Sequence, residues 1–172
     1  MNDLPPYRKV VLGLDPSTKL IGWSFIDYET GEFLWNGVNK INVPSGGFRE
    51  AQIAKVIGKL YDALCQKDED YSVQVVGIEK MFLGPSPKIS MELSYVAGQV
   101  HQCVSQVFKK TEVIRLIPPE WREANGLARN ASKSALKQRA DELGLAAATS
   151  NQDAVDAGFI ALAARKRHRT TV

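Results

Sequence analysis

Short apolar runs and longer apolar stripes with a helical period alternate along this chain. The short runs have the length of β-strands, and a run that is apolar throughout is typical of a strand buried on both faces of a sheet. This pattern predicts strands over 9–15, 21–28, 33–41, 73–79 and 111–117.

Apolar residues spaced three and four apart predict the helices. Ile53, Ile57 and Leu60 form one such stripe, and a second runs through 89–108. Two further helices are predicted over 132–144 and 151–167, after a short turn at 120–124. The order β-β-β-α-β-α-β-α-α predicts an α/β fold in which a five-stranded mixed sheet is flanked by helices.

The length of 172 residues suits one domain with a sizeable core. We expect a flexible arm over 1–8, because it contains two prolines, then the folded domain over 9–164 and a basic tail over 165–172. No apolar run approaches the ~20 residues of a membrane span, and the first residues lack the apolar centre of a signal peptide. A cytoplasmic protein without a membrane partner is therefore expected.

Basic residues are concentrated in the last third of the chain, although the net charge is only +3. They cluster over 115–139 and again in the RKRHR stretch at 165–169. A basic surface of this kind would suit a phosphate backbone, but a solvated helix face explains the charge pattern equally well.

Two acidic residues, Asp15 and Glu79, end apolar strands. If these strands are parallel neighbours, both carboxylates lie at the carboxyl edge of the sheet, where sites form in open α/β sheets. Asp153 and Asp156 are three residues apart and so share one face of the last helix. The sequence thus supplies four acids that the fold could bring together.

Each acid also has an ordinary structural explanation. Asp15 could cap a turn with Pro16, Glu79 could pair with a nearby cation such as Lys80 or Arg115, and Asp153 could serve a helix N-terminus. Four carboxylates gathered in one place, however, repel one another unless divalent cations neutralise them. An all-oxygen ligand set favours Mg²⁺ or Mn²⁺ over zinc, and two such ions can support phosphodiester hydrolysis.

The sequence resembles the RuvC-type Holliday junction resolvases of the RNase H-like superfamily over nearly its whole length, from Val10 to Ala164. The order and spacing of the matching segments carry the resemblance, together with the four acids in the expected places. These segments are GLDPSTKLIGWSFID, VVGIEKMF, SYVAGQV, LIPPEWREANGLARNASKSALK and NQDAVDAGFIALAA. Ser17 departs from the family pattern, which commonly has glycine there.

The resemblance implies a Mg²⁺-dependent crossover junction endodeoxyribonuclease that cuts four-way and other branched DNA symmetrically. It implies two metal ions per site, with Mn²⁺ able to substitute, and no nucleotide cofactor. It also implies a homodimer formed through the helix that carries Tyr95, Gly98 and Gln99. The implied catalytic and metal-binding residues are Asp15, Glu79, Asp153 and Asp156, and the implied DNA-binding residues are Phe82, Arg122, Arg129, Lys133 and Lys137.

Other functions share parts of this pattern. A ribonuclease that cleaves RNA–DNA hybrids uses the same carboxylates, and a non-catalytic junction-binding relative would keep the basic surface. An actin-like or chaperone-like ATPase also begins with a β-meander, but it needs two such domains and a second phosphate loop that this chain lacks. The Phe82 loop and the basic last third favour the resolvase.

Overall fold

The computed structural model describes residues 7–17, 19–42, 49–65, 71–80, 86–145 and 151–171. The strands are β1 (Arg8–Pro16), β2 (Leu20–Asp27), β3 (Phe33–Lys40), β4 (Tyr71–Glu79) and β5 (Glu112–Leu116). The helices are α1 (Arg49–Cys65), α2 (Pro87–Val107), α3 (Pro118–Ala124), α4 (Lys133–Glu142) and α5 (Gln152–Thr171). Among these helices, none is both long and apolar enough to cross a membrane.

The strands form one mixed sheet with the order β3-β2-β1-β4-β5. β1 pairs antiparallel with β2 and β2 with β3, whereas β1 pairs parallel with β4 and β4 with β5. The predicted fold class is therefore confirmed. β1 is apolar nearly throughout because it has a strand on each side and helices on both faces.

The side chains of each strand alternate between two cores, one on each face of the sheet. Leu12 and Leu14 of β1 pack with residues of α1 and α2, whereas Val11 packs with residues of α3, α4 and α5. The helix stripe that contains Ile53 and Ile57 is buried, as its spacing predicts. The alternation also assigns odd-numbered β1 residues, Asp15 among them, to the face that α5 covers.

Three glycines let α5 lie directly on the sheet. A Cβ atom at Gly13 would overlap the main-chain oxygen of Ala157, and one at Gly22 would overlap the main chain of Asp153. A Cβ atom at Gly77, the β4 partner of Gly13, would lie 2.8 Å from the Cβ atom of Ala164. The backbone of α5 therefore approaches the strands more closely than any side chain would permit.

Two segments differ from the sequence prediction. Residues 118–124 form the helix α3 rather than a short turn, because prolines occupy its first positions and Glu120 accepts a hydrogen bond from the Ile117 amide at 2.9 Å. The basic stretch that was expected as a tail continues α5 as far as Thr171. Residues 1–6 of the expected arm lie outside the described residues, and Arg8 already belongs to β1.

The basic end of α5 is held against the turn that follows β2. The Arg165 side chain donates hydrogen bonds to the main-chain oxygens of Tyr28 and Glu29. The Tyr28 hydroxyl and Nδ1 of His168 are 2.8 Å apart. These contacts anchor the helix at the end of the sheet opposite Asp15, so its basic residues have a structural function.

We predict that Gly13→Ala lowers the free energy of unfolding by roughly 1–3 kcal/mol, because the new methyl group must push α5 away from β1. Gly58→Ala is the matched control, since a Cβ atom at Gly58 of α1 meets nothing within 4 Å. That control should raise stability by about 0.5–1 kcal/mol, the usual gain from alanine in a helix. Urea unfolding of both variants checks this, and equal stabilities would contradict it.

Candidate active site

Asp15 and Glu79 lie at the same edge of the sheet, as their positions at strand ends predict. β1 and β4 are parallel neighbours in register, with Gly13 opposite Gly77 and Leu14 opposite Ile78. Because side chains alternate along a strand, each acid projects to the same face as the glycine two residues before it. That is the face covered by α5.

The first turn of α5 brings the other two acids to this edge. Gly22 pairs with Asp15 across the β1–β2 ladder, and the main chain of Asp153 lies against Gly22. The side chain of Asn151 caps the helix by accepting the Asp153 amide at 3.0 Å. Asp156 follows one turn later and interacts electrostatically with both Asp15 and Glu79.

The carboxylates of this group repel one another, and the raised pKa values of Asp15, Glu79 and Asp156 show it. Burial raises the pKa of Asp15 well above its ordinary value, and repulsion from Glu79, Asp156 and Asp153 raises it further. Burial also raises the pKa of Glu79 and of Asp156, and the negative charge of their acidic neighbours adds to both shifts. Within the described part of the chain, the ionised site therefore carries excess negative charge that its basic neighbours offset only in part.

Trp121 is a site residue that the sequence analysis missed. Its indole Nε1–H donates a hydrogen bond to Oε2 of Glu79 at 2.9 Å, and its ring is only 1% exposed and stacks on Phe159 of α5. Buried Asn125 holds α3 against α5 by donating to the main-chain oxygens of Trp121 and Phe159. Glu79 is thus oriented by an indole rather than by the nearby Lys80 or Arg115.

Two of the predicted DNA-binding cations lie beside the acids. The Arg122 guanidinium is 5.1 Å from the centre of the Trp121 ring and lowers the pKa of both Glu79 and Asp156, against the larger effect of burial. Lys133, the first residue of α4, acts on Asp156 in the same direction. Both cations therefore belong to the surroundings of the candidate site.

The remaining predicted DNA-binding residues are less closely tied to the acids. Arg129 is exposed and pairs with Glu123 at 3.6 Å, and Lys137 is exposed on α4. Phe82 lies outside the described residues.

The serine that departs from the family pattern closes the turn after β1 with its own side chain. The Ser17 amide donates to the main-chain oxygen of Leu20 at 2.8 Å, and the Ser17 hydroxyl oxygen accepts the Leu20 amide at 3.1 Å. The φ angle of Ser17 is not positive. A glycine is therefore not required here, because the hydroxyl group supplies the turn that follows Asp15.

The donor atoms of this site fit a hard divalent cation, since all four acids offer carboxylate oxygens and no histidine or cysteine belongs to the group. In their present conformations, no three acidic, histidine or cysteine side chains of the described chain are arranged to hold one ion. Gln152 holds the Asp156 carboxylate through an exposed hydrogen bond of 2.7 Å. That bond is weak enough to be exchanged for a metal contact.

The sequence of this chain is similar to that of a known protein family. The family model described as crossover junction endodeoxyribonuclease RuvC matches residues 11–164. The protein of that name from Hydrogenovibrio crunogenus is 24% identical over 151 residues, which cover 87% of this chain and 83% of that protein. Those from Legionella pneumophila strain Corby and Ehrlichia ruminantium strain Gardel are 24% and 28% identical over 92 residues. These two matches span about half of each relative, 49% and 54%.

Solved structures share the fold. The Thermus thermophilus RuvC structure has a TM-score of 0.71 and 18% identity, and the match covers 94% of this chain and 96% of that one. The T. thermophilus RuvC structure in complex with Holliday junction substrate has a TM-score of 0.70, with the same identity and coverage. The structure of the yeast mitochondrial Holliday junction resolvase Ydc2 has a TM-score of 0.58 and 13% identity, and the match covers 98% of this chain and 85% of that one.

We predict that Asp15→Asn raises the melting temperature at neutral pH in a chelating buffer, by about 2–4 °C for each kcal/mol gained. The folded protein holds the Asp15 proton more tightly than the unfolded chain does. Stability is therefore lost as the pH rises from the ordinary pKa of an aspartate toward the raised folded pKa, and the asparagine removes that loss.

Asp27→Asn provides a control of opposite sign. Burial alone would raise the pKa of Asp27, but hydrogen bonds from Thr30, Arg8 and Glu29 lower it below its ordinary value. The ionised Asp27 carboxylate stabilises the folded protein above the ordinary pKa of an aspartate, and this stabilisation is lost as the pH falls through the folded pKa. Asp27→Asn should therefore lower the melting temperature. A decrease for both variants would contradict the electrostatic account of Asp15.

Proposed function

This chain belongs to the RuvC family, and on that premise we propose that it is a crossover junction endodeoxyribonuclease that resolves four-way DNA junctions. The observation that carries the proposal is the meeting of Asp15, Glu79, Asp153 and Asp156 at one edge of the sheet. Other branched DNA would be a substrate for the same site. The reaction would take place in the cytoplasm of a bacterium or of a phage-infected cell.

Two Mg²⁺ ions, replaceable by Mn²⁺, are the proposed cofactors. Asp15, Glu79, Asp153 and Asp156 would hold these ions through their carboxylate oxygens. When bound, such ions activate a water molecule and stabilise the leaving oxygen of a phosphodiester. The protein contributes the orientation of the carboxylates, and Trp121 fixes that of Glu79.

The basic residues around the acids would hold the DNA backbone. Arg122 and Lys133 already compensate part of the acidic charge, so they are near enough to contact phosphates beside the scissile one. Arg129 and Lys137 would extend this surface over α3 and α4. Phe82 would stack on a base at the junction centre, as the family resemblance implies.

A homodimer is the proposed assembly, because a four-way junction must be cut at two symmetric positions. The exposed face of α2 supports this proposal. Met91 and Tyr95 are 74% and 46% exposed. A Cβ atom added at Gly98 of the same helix would meet no described atom within 4 Å. A second copy of α2 could pack closely there.

Two other functions make different predictions about substrates. A ribonuclease of the same fold would cut RNA–DNA hybrids, and a junction-binding relative would bind without cutting. Four mutually repelling acids disfavour a pure binding protein, since uncompensated negative charge weakens binding to phosphate.

We predict that the wild-type protein cuts a labelled four-way junction in Mg²⁺ and leaves linear duplex and RNA–DNA hybrid intact. Asp15→Asn should abolish cleavage while junction binding stays within a few-fold of wild type, because that substitution removes a ligand and not a DNA contact. Gel-resolved cleavage and fluorescence anisotropy measure the two effects. Cleavage of the hybrid alone would support the ribonuclease instead.

Trp121→Phe should reduce cleavage by roughly 10–100-fold, the usual cost of losing a group that orients a metal ligand. Phenylalanine keeps most of the buried ring but cannot donate to Glu79. The Mg²⁺ concentration for half-maximal cleavage should rise as well, which a purely structural defect would not cause. Phe159→Leu is the packing control, since it disturbs the same ring stack without touching Glu79.

A further inference from the structure

Asp156 interacts with each of the other three acids of the candidate site. Burial raises the pKa values of Asp15 and Glu79, and the negative charge of Asp156 adds to both shifts. Burial likewise raises the pKa of Asp156, and the charge of Asp153 adds to that shift. The way in which the Asp156 carboxylate is held therefore affects the whole group.

Gln152 holds that carboxylate from the first turn of α5. Its side-chain Nε2 donates a hydrogen bond to Oδ1 of Asp156 at 2.7 Å, across the four-residue spacing that places two side chains on one face of a helix. The direction of the bond is fixed, because an ionised carboxylate only accepts hydrogen bonds. The amide group therefore occupies one of the two oxygens that Asp156 could offer to a cation.

Trp121 holds Glu79 in a similar way, but the two donors differ in how easily they can leave. The Trp121 ring is buried and stacks on Phe159, so its hydrogen bond to Glu79 is a fixed part of the fold. Gln152 is exposed at the start of α5, where water can replace its hydrogen bond at little cost. The site thus combines one acid that is held permanently with one that can be released.

The residue type at position 152 suits this arrangement. The first turn of a helix favours an acidic side chain, because the helix dipole is positive there. A glutamate at 152 would, however, add a fifth negative charge beside Asp153 and Asp156. Glutamine has nearly the same size, carries no charge and supplies a hydrogen-bond donor instead.

We propose that Gln152 is a positioning residue that holds Asp156 in the metal-free protein and is exchanged when Asp156 becomes a metal ligand. The proposal rests on the proposed function, because it takes Asp156 to be such a ligand. In their present conformations the acids of the described chain are not arranged around one ion, which agrees with a carboxylate that must turn before it binds. Gln152 therefore lowers the affinity of the site for divalent cations.

Gln152→Met tests this exchange, because methionine keeps the length of the side chain and removes the donor. The dissociation constant for Mn²⁺ is measured without DNA, from the electron paramagnetic resonance signal of the free ion. It should fall by about 2–10-fold, the usual net contribution of one hydrogen bond. An unchanged or higher dissociation constant would overturn the proposal, since Gln152 would then have no influence on the site or would assist metal binding.

Gln138→Met is the matched control. Gln138 donates a hydrogen bond to Oε1 of Glu142 at 3.2 Å with the same four-residue spacing, and both side chains are exposed on α4. Its loss should leave Mn²⁺ binding unchanged, because Glu142 does not belong to the acid group. An equal fall in the dissociation constant of both variants would show that the effect does not pass through Asp156, and it would also overturn the proposal.

The measurement without DNA separates this proposal from the proposed function. If Gln152→Met does not tighten Mn²⁺ binding in a protein that cuts four-way junctions, the exchange alone is overturned. Tighter binding in a protein that cuts no junction sustains the exchange and rejects the nuclease. Absence of Mn²⁺ binding by the wild type overturns the exchange, whether or not junctions are cut.

Discussion

The close contact between α5 and the sheet is the constraint on which the site depends. Gly13, Gly22 and Gly77 provide no side chains between the strands and the helix backbone. The start of α5 consequently lies beside the end of β1, which brings Asp153 next to the residue that pairs with Asp15. A thicker interface would move the helical acids away from the strand acids, and the carboxylates would no longer share one site.

Bringing the acids together in this way lowers the stability of the fold. Burial and mutual repulsion raise the pKa values of Asp15, Glu79 and Asp156, so the ionised site destabilises the metal-free fold. The buried contacts of α5 offset that cost, since nearly every residue from Ala154 to Ala164 is buried. The packing of α5 therefore allows a mutually repelling group of acids to persist in the fold.

Glu79 connects the elements that surround the site. Its carboxylate accepts the indole N–H of Trp121, which α3 and Asn125 fix against α5. The orientation of a strand-end acid therefore depends on residues of α3 and α5.

The sequence by itself determined the order of strands and helices along the chain, the α/β fold class and the candidacy of four acids, because apolar spacing and strand-end carboxylates are local patterns. It did not reveal the sheet order, the glycine contacts or the indole bond to Glu79, and it placed a turn where α3 lies. Each of these depends on residues far apart in the chain, such as Trp121 and Glu79. Only the packed structure decides such contacts, because the distance between two segments depends on the size of the side chains that lie between them.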